Sequence, residues 1–173
     1  MKNEALEVLK NRRSIRKFKS EQITDGELLA VLEAGTYAPT GKNMQTPVII
    51  AVQKPEDRQA VAELNAKVMG SDSDPYYGAP TIILVLAADD AFAELNGSAV
   101  TTNMLNAAYA VGLGSCWIHR AAPMFKSDEG KAMLRKWGVD ESLVGVGSIA
   151  LGYADCETPA AKPRKENYYR IIK

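Results

Sequence analysis

Apolar positions along the chain change their period several times, and each change marks an element. Leu6, Val8 and Leu9 in residues 4 to 13 predict a short amphipathic helix with those three side chains inward. Thr24 and Glu27 have capping-box spacing before an apolar run, which predicts a helix from about 25 to Tyr37 with Leu28, Val31 and Leu32 on its core face. The stretch from Ala38 to Pro47 has two prolines, a glycine and several amide or hydroxyl side chains, and reads as a donor-rich loop. Val48 to Gln53 reads as a strand, Pro55 to about Val68 as a helix, and Gly70 to Tyr77 as a polar loop. Pro80 to Ala87 is almost wholly apolar, so it predicts a strand covered on both faces.

From Gly97 to Val111 the pattern is helical but carries almost no charge on any side. Such a helix is expected to be buried all round, and in a short chain that points to a subunit interface. Ser115 to Arg120 reads as a third strand, Ser127 to Trp137 as a helix with Lys131, Arg135 and Lys136 outward, and Leu143 to Leu151 as the fourth strand. The segment from Gly152 onward holds Pro159 and Pro163 and cannot build a core by itself. Helices alternating with strands predict an α+β layered fold in a single domain over residues 1 to 173.

Composition removes several chemistries. One His and two Cys, at His119, Cys116 and Cys156, cannot make a four-ligand zinc site, so no metal is expected. On a strand, Cys116 and His119 would face opposite ways, which argues against a nucleophilic pair. The cysteines read as free thiols of a reducing compartment. No phosphate-binding G-x-x-x-x-G-K-[ST] occurs. The match of Gly145 to Ala150 to a dinucleotide fingerprint fails, because only 23 residues follow it and the segment reads as a strand. No run reaches the roughly 20 apolar residues of a membrane helix, and the N-terminus does not read as a secretory signal, so a cytoplasmic protein without a membrane partner is expected.

The charges balance at 21 basic and 21 acidic, yet the basic ones gather at both ends. Arg12, Arg13, Ser14 and Arg16, with Lys162 and Arg164, offer the guanidinium forks and hydroxyl that hold a phosphate. A nucleic-acid partner would need a wider basic field, so one anionic small ligand fits better.

Taken in order, Arg12-Arg13-Ser14-Ile15-Arg16, then Ala38 to Gln45, then Gly112 to Ile118, then Gly152-Tyr153 followed by Lys162 to Lys165, the chain resembles the nitroreductase family of flavin mononucleotide (FMN) enzymes. The resemblance implies a mixed β-sheet flanked by helices, in an intertwined homodimer with FMN at the interface and the tail from about 152 to 173 packed on the partner. It implies that Arg12, Ser14 and Arg16, with Arg164 and Lys162, hold the phosphate and ribityl chain. It places Arg13 along the flavin pyrimidine edge, where it would stabilise the negative charge that reduced flavin gathers. Pro39, Thr40, Gly41, Asn43 and Gln45 would come from the other subunit, and Trp117, Ile118, His119 and Arg120 would pass the flavin ring, with a backbone N–H near Ile118 to Arg120 reaching N5. Gly41, Lys42, His119 and Arg120 depart from what many relatives carry, and they fall at substrate-side positions.

The activity implied is an NAD(P)H oxidoreductase with FMN as cofactor, NADH or NADPH as donor and a nitroaromatic, quinone or similar flat acceptor, working by a ping-pong mechanism. A flavin-binding carrier or sensor, or a narrower enoyl, dehalogenating or flavin-fragmenting reductase on the same fold, stands as the alternative.

Overall fold

The computed structural model describes residues 3–173. Its elements are α1 (Glu4–Asn11), α2 (Asp25–Thr36), β1 (Val48–Val52), α3 (Pro55–Met69), β2 (Thr81–Ala87), α4 (Ala93–Ala110), β3 (Gly114–Ile118), α5 (Ala121–Lys126), α6 (Asp128–Lys136) and β4 (Val144–Gly152). The sheet has the order β1-β2-β4-β3, and every neighbouring pair is antiparallel. The α+β class therefore stands, but the mixed sheet narrows to one isolated parallel bridge, Ser14 to Ser115, at the outer edge of β3.

The interior of β2 explains the layering. All seven residues are buried, and successive side chains enter opposite cores. Ile82, Leu84 and Leu86 pack with Val61, Leu64, Met124, Phe125 and Leu134 of α3, α5 and α6. Ile83 and Val85 pack with Val31, Val100, Met104, Leu105 and Ala108 of α2 and α4. Each such Leu or Ile contributes about 1.5–3 kcal/mol by leaving water, so the doubly covered strand anchors a helix–sheet–helix sandwich. Close approach of α4 to β4 depends on Gly97, where an added Cβ would lie 2.7 Å from Val146.

Several elements differ from the sequence reading. Leu6 and Leu9 of α1 are exposed and only Val8 is half-buried, so the helix's apolar face is not inward within this chain. Helix α4 starts earlier, at Ala93, after the Asp90 carboxylate accepts from the Phe92 N–H. Within this chain alone it is not buried all round: Leu95 and Thr102 are exposed and Ala99 and Asn106 half-buried. Strand β3 stops at Ile118 because Arg120, at φ 82°, turns the chain out of the sheet. The short helix α5 follows at once. Its Pro123 stands in the first turn, where an N–H has no intrahelical acceptor. Arg135 and Lys136 do face outward, paired with Glu141 and Asp57, whereas Lys131 is half-buried. Beyond Ala154, which bridges to Phe18, residues 155–173 are exposed throughout.

Candidate functional site

Residues 12–16 leave α1 in an extended run along the edge of β3, where the Ile15 N–H donates to Ser115 O at 3.0 Å. Extended backbone alternates its faces, so positions 12, 14 and 16 share one side and 13 and 15 the other. Arg12, Ser14 and Arg16 all act on the Cys116 thiol: burial, the largest influence, pushes its pKa up, while Arg16, the Ser14 hydroxyl and Arg12 pull it down. The segment that carries these two guanidinium groups and the hydroxyl thus runs beside Ser115 at the edge of β3. None of the three side chains has a carboxylate partner among the described residues.

Arg13 lies on the opposite side of this run. Its Nη1 donates to Lys10 O at 2.7 Å and Arg12 O at 2.8 Å, which closes the C-terminal end of α1. Its Nε and the Ser115 hydroxyl are buried without a partner, and both residues line a cavity of about 100 Å³ with Ile15, Tyr109 and Gly112.

The loop before β1 is held in an unusual shape. Lys42, Asn43 and Gln45 all have φ near +50°, at 53°, 53° and 51°, a region that side chains other than glycine seldom adopt. Thr40 organises the turn, its carbonyl accepting from Asn43 N and its hydroxyl from Gln45 N. Gln45 Nε2 donates to Asn43 Oδ1 at 3.3 Å. Pro39 is exposed at its start. Gly41 is required for space, since a Cβ would come 2.8 Å from the Phe92 ring. The anchor is Asn96 of α4, buried, whose Oδ1 accepts from Gly41 N at 2.8 Å. Nothing near Asn96 in the sequence marks that role, because its partner is 55 residues away.

The turn after β3 is fixed from behind by buried polar groups. Asn65 of α3, wholly buried, donates to His119 O at 3.1 Å and accepts from Arg120 Nε at 2.8 Å. It also donates to the Tyr76 hydroxyl at 3.1 Å, which bonds Ser148 Oγ at 2.9 Å, and Ser148 donates to Ile118 O at 3.1 Å. Burial pushes the Tyr76 hydroxyl's pKa up, so it remains a neutral link in this chain. Trp117 is half-buried against the α2–α4 core and lies over Gly147, where a Cβ would meet the indole nitrogen at 2.9 Å. His119 is exposed. In the tail, Arg164 folds onto Lys162 O with both Nε and Nη2, and both residues are exposed. Among the described residues no group of His, Cys, Asp and Glu could hold a metal ion.

The sequence model of the Nitroreductase family matches residues 9–153, from the end of α1 to just past β4. The chain belongs to the nitroreductase family. As a member it is an oxidoreductase. The similarity extends through three dimensions. A nitroreductase with bound FMN from Bacteroides fragilis is 32% identical, with a TM-score of 0.89 over 99% of this chain and 100% of that one. A nitroreductase with bound FMN from Desulfitobacterium hafniense is 26% identical, with a TM-score of 0.88 over the whole of both chains. A protein of Archaeoglobus fulgidus described as a candidate NADH dehydrogenase/NAD(P)H nitroreductase is 28% identical over 157 residues, 87% of this chain and 85% of that relative. No helix among the described residues is long and apolar enough to cross a membrane.

Proposed function

We propose that this nitroreductase-family chain is an FMN-dependent NAD(P)H oxidoreductase that reduces nitroaromatic, quinone or similar flat acceptors. The observation that carries the reading is the run of Arg12, Ser14 and Arg16 along the edge of β3, with no carboxylate partner for either arginine among the described residues. Two unpaired guanidinium groups beside a hydroxyl suit a phosphate monoester, which accepts bidentate charge-assisted hydrogen bonds. The bound FMN of the 32% and 26% identical neighbours supports that choice of phosphate ligand. FMN, when bound, supplies the acceptor for hydride and the outlet for electrons.

The chain's residues would bind and orient it. Arg12, Ser14 and Arg16 hold the phosphate and ribityl end, joined by Lys162 and Arg164 once the tail is drawn in. Arg13 lies along the flavin pyrimidine edge, where its charge would offset the negative charge that reduced flavin gathers. Thr40, Gly41, Asn43 and Gln45, shaped by Asn96, offer amide donors, with Pro39 at the start of the loop. Trp117, Ile118, His119 and Arg120 pass the ring, with a backbone N–H of that turn directed at N5. The donor nicotinamide and the acceptor use one open site in turn, so the kinetics are ping-pong.

The whole chain acts as one domain in a homodimer. Exposed Leu6 and Leu9 of α1, Leu95 of α4, and Tyr168, Tyr169 and Ile172 of the tail leave apolar surface that a second copy would cover. The visible spectrum of the purified protein before and after anaerobic NADH or NADPH tests the function. Flavin bands that bleach, then recover with a quinone, are expected. A protein that fails to take up added FMN overturns the reading, and flavin bands that resist both donors identify a carrier or sensor.

A further inference from the structure

We infer that Asn65 is a positioning residue of the redox site: it turns the His119–Arg120 peptide so that the Arg120 N–H is presented to the flavin. The inference rests on the FMN reading above and adds to it a residue on α3 that carries no signal in the sequence.

The argument starts from peptide geometry. All peptide bonds of the described residues are trans, so a C=O and the N–H of the next residue point in opposite directions. Asn65 Nδ2 takes His119 O, at 3.1 Å, toward the interior of the sandwich. The Arg120 N–H on the far side of that peptide therefore points away from α3. Among the described residues neither the His119 N–H nor the Arg120 N–H has a protein acceptor.

Asn65 also accounts for a strained residue. Arg120 sits at φ 82° and ψ 8°, a conformation that costs a non-glycine residue about 1 kcal/mol or more and persists only when its surroundings over-determine it. The same amide that takes the His119 carbonyl accepts the Arg120 Nε at 2.8 Å, so backbone and side chain are held by one group. Tyr76 and Ser148 extend the hold to Ile118 O. Three successive residues, Ile118, His119 and Arg120, are thus tied through their carbonyls or side chain to the interior, leaving the N–H groups of His119 and Arg120 as unused donors. The left-handed turn at Arg120 lets the chain leave β3 and enter α5 while the His119 carbonyl stays turned inward.

The test uses full-length protein loaded with FMN and compares wild type with Asn65→Ala and Tyr76→Phe. Measured quantities are the affinity for oxidised and reduced FMN, the midpoint potential and the unfolding temperature. N5 of oxidised flavin is an acceptor, whereas N5 of reduced flavin carries a proton and serves mainly as a donor, so an N–H aimed at it gains less. Asn65→Ala is expected to weaken binding of oxidised FMN about tenfold, the worth of one hydrogen bond, with reduced FMN changed less than about twofold. Tyr76→Phe keeps the ring packing and should move the ratio in the same direction by less. It carries the test if Asn65→Ala does not fold. Val31→Ala, in the α2–α4 core on the other face of the sheet, should lower the unfolding temperature without moving the ratio. A wild type that binds FMN while the network variants lose only stability overturns the inference and leaves the functional reading intact. A wild type that takes up no FMN overturns that reading itself.

Discussion

The Tyr153 hydroxyl donates to Glu27 Oε2 at 2.7 Å across 126 residues of sequence, joining the end of β4 to the capping box of α2. The same oxygen accepts from the Thr24 N–H and hydroxyl. These bonds hold the Glu27 carboxyl below the usual carboxylate range, the Thr24 side chain first, then Tyr153, then the Thr24 backbone. A depressed folded-state pKa means stability that is present above the unfolded value, near 4.5, and lost as pH falls through the folded value. Glu27→Gln should therefore flatten the acid side of the stability curve below about pH 5, which urea titrations at stepped pH would show. Thr24→Ala should cost about 1 kcal/mol at neutral pH through the lost cap.

Gly97 sets a second expectation. An exposed helix position gains about 1 kcal/mol when Gly becomes Ala, but here the new methyl would press on Val146. Gly97→Ala is expected to destabilise by about 1–3 kcal/mol, and adding Val146→Ala should recover part of that loss. Additive effects of the two changes in chemical unfolding would show that α4 and β4 are not in this contact.

Asn96→Ala should release the loop from Ala38 to Pro47. It leaves the Gly41 N–H without its acceptor, a loss of about 1–3 kcal/mol where that group stays buried. Amide hydrogen exchange should quicken at Gly41 and at Asn43 to Gln45 while β2 remains protected. Unchanged exchange in the loop would assign its shape to Thr40 alone.

Arg12→Ala should weaken FMN binding about 10- to 100-fold, the range for a hydrogen bond to a charged group. Added salt should weaken wild-type binding more than the variant's, since exposed charges are screened. Fluorescence quenching of FMN on titration measures both. Equal salt dependence in the two proteins would remove Arg12 from the phosphate site.

The thiols separate by burial. Cys116 is buried and its pKa raised, burial outweighing Arg16, Ser14 and Arg12, whereas Cys156 is exposed. Because only the thiolate is nucleophilic, iodoacetamide at neutral pH should label Cys156 first and Cys116 only after urea is added. Peptide mass spectrometry reads the order directly.

Local chemistry made much of this legible. Thr24 and Glu27 announce α2 within four residues, and the unbroken apolar run of β2 announces two covered faces. Arg12, Arg13, Ser14 and Arg16 stand out because guanidinium forks clustered with a hydroxyl suit a phosphate without reference to any distant partner. Asn65 and Asn96 did not stand out, since each acts on backbone 54 or 55 residues away and an amide inside a helix has no preferred neighbour in sequence. Helix α5, at six residues, is too short for a periodic signal, and the exposure of Leu6 and Leu9 follows from an amphipathic pattern that states which face is apolar but not which surface covers it.

Strand β3 ends the sheet, and an open sheet margin invites other strands to pair with it. Here that margin is closed by residues 14–15 through the Ile15 to Ser115 bond, and the closing segment carries Arg12 and Arg16. The segment proposed to grip the cofactor is therefore also the guard rail against aggregation. Damage to it would remove ligand binding and solubility together.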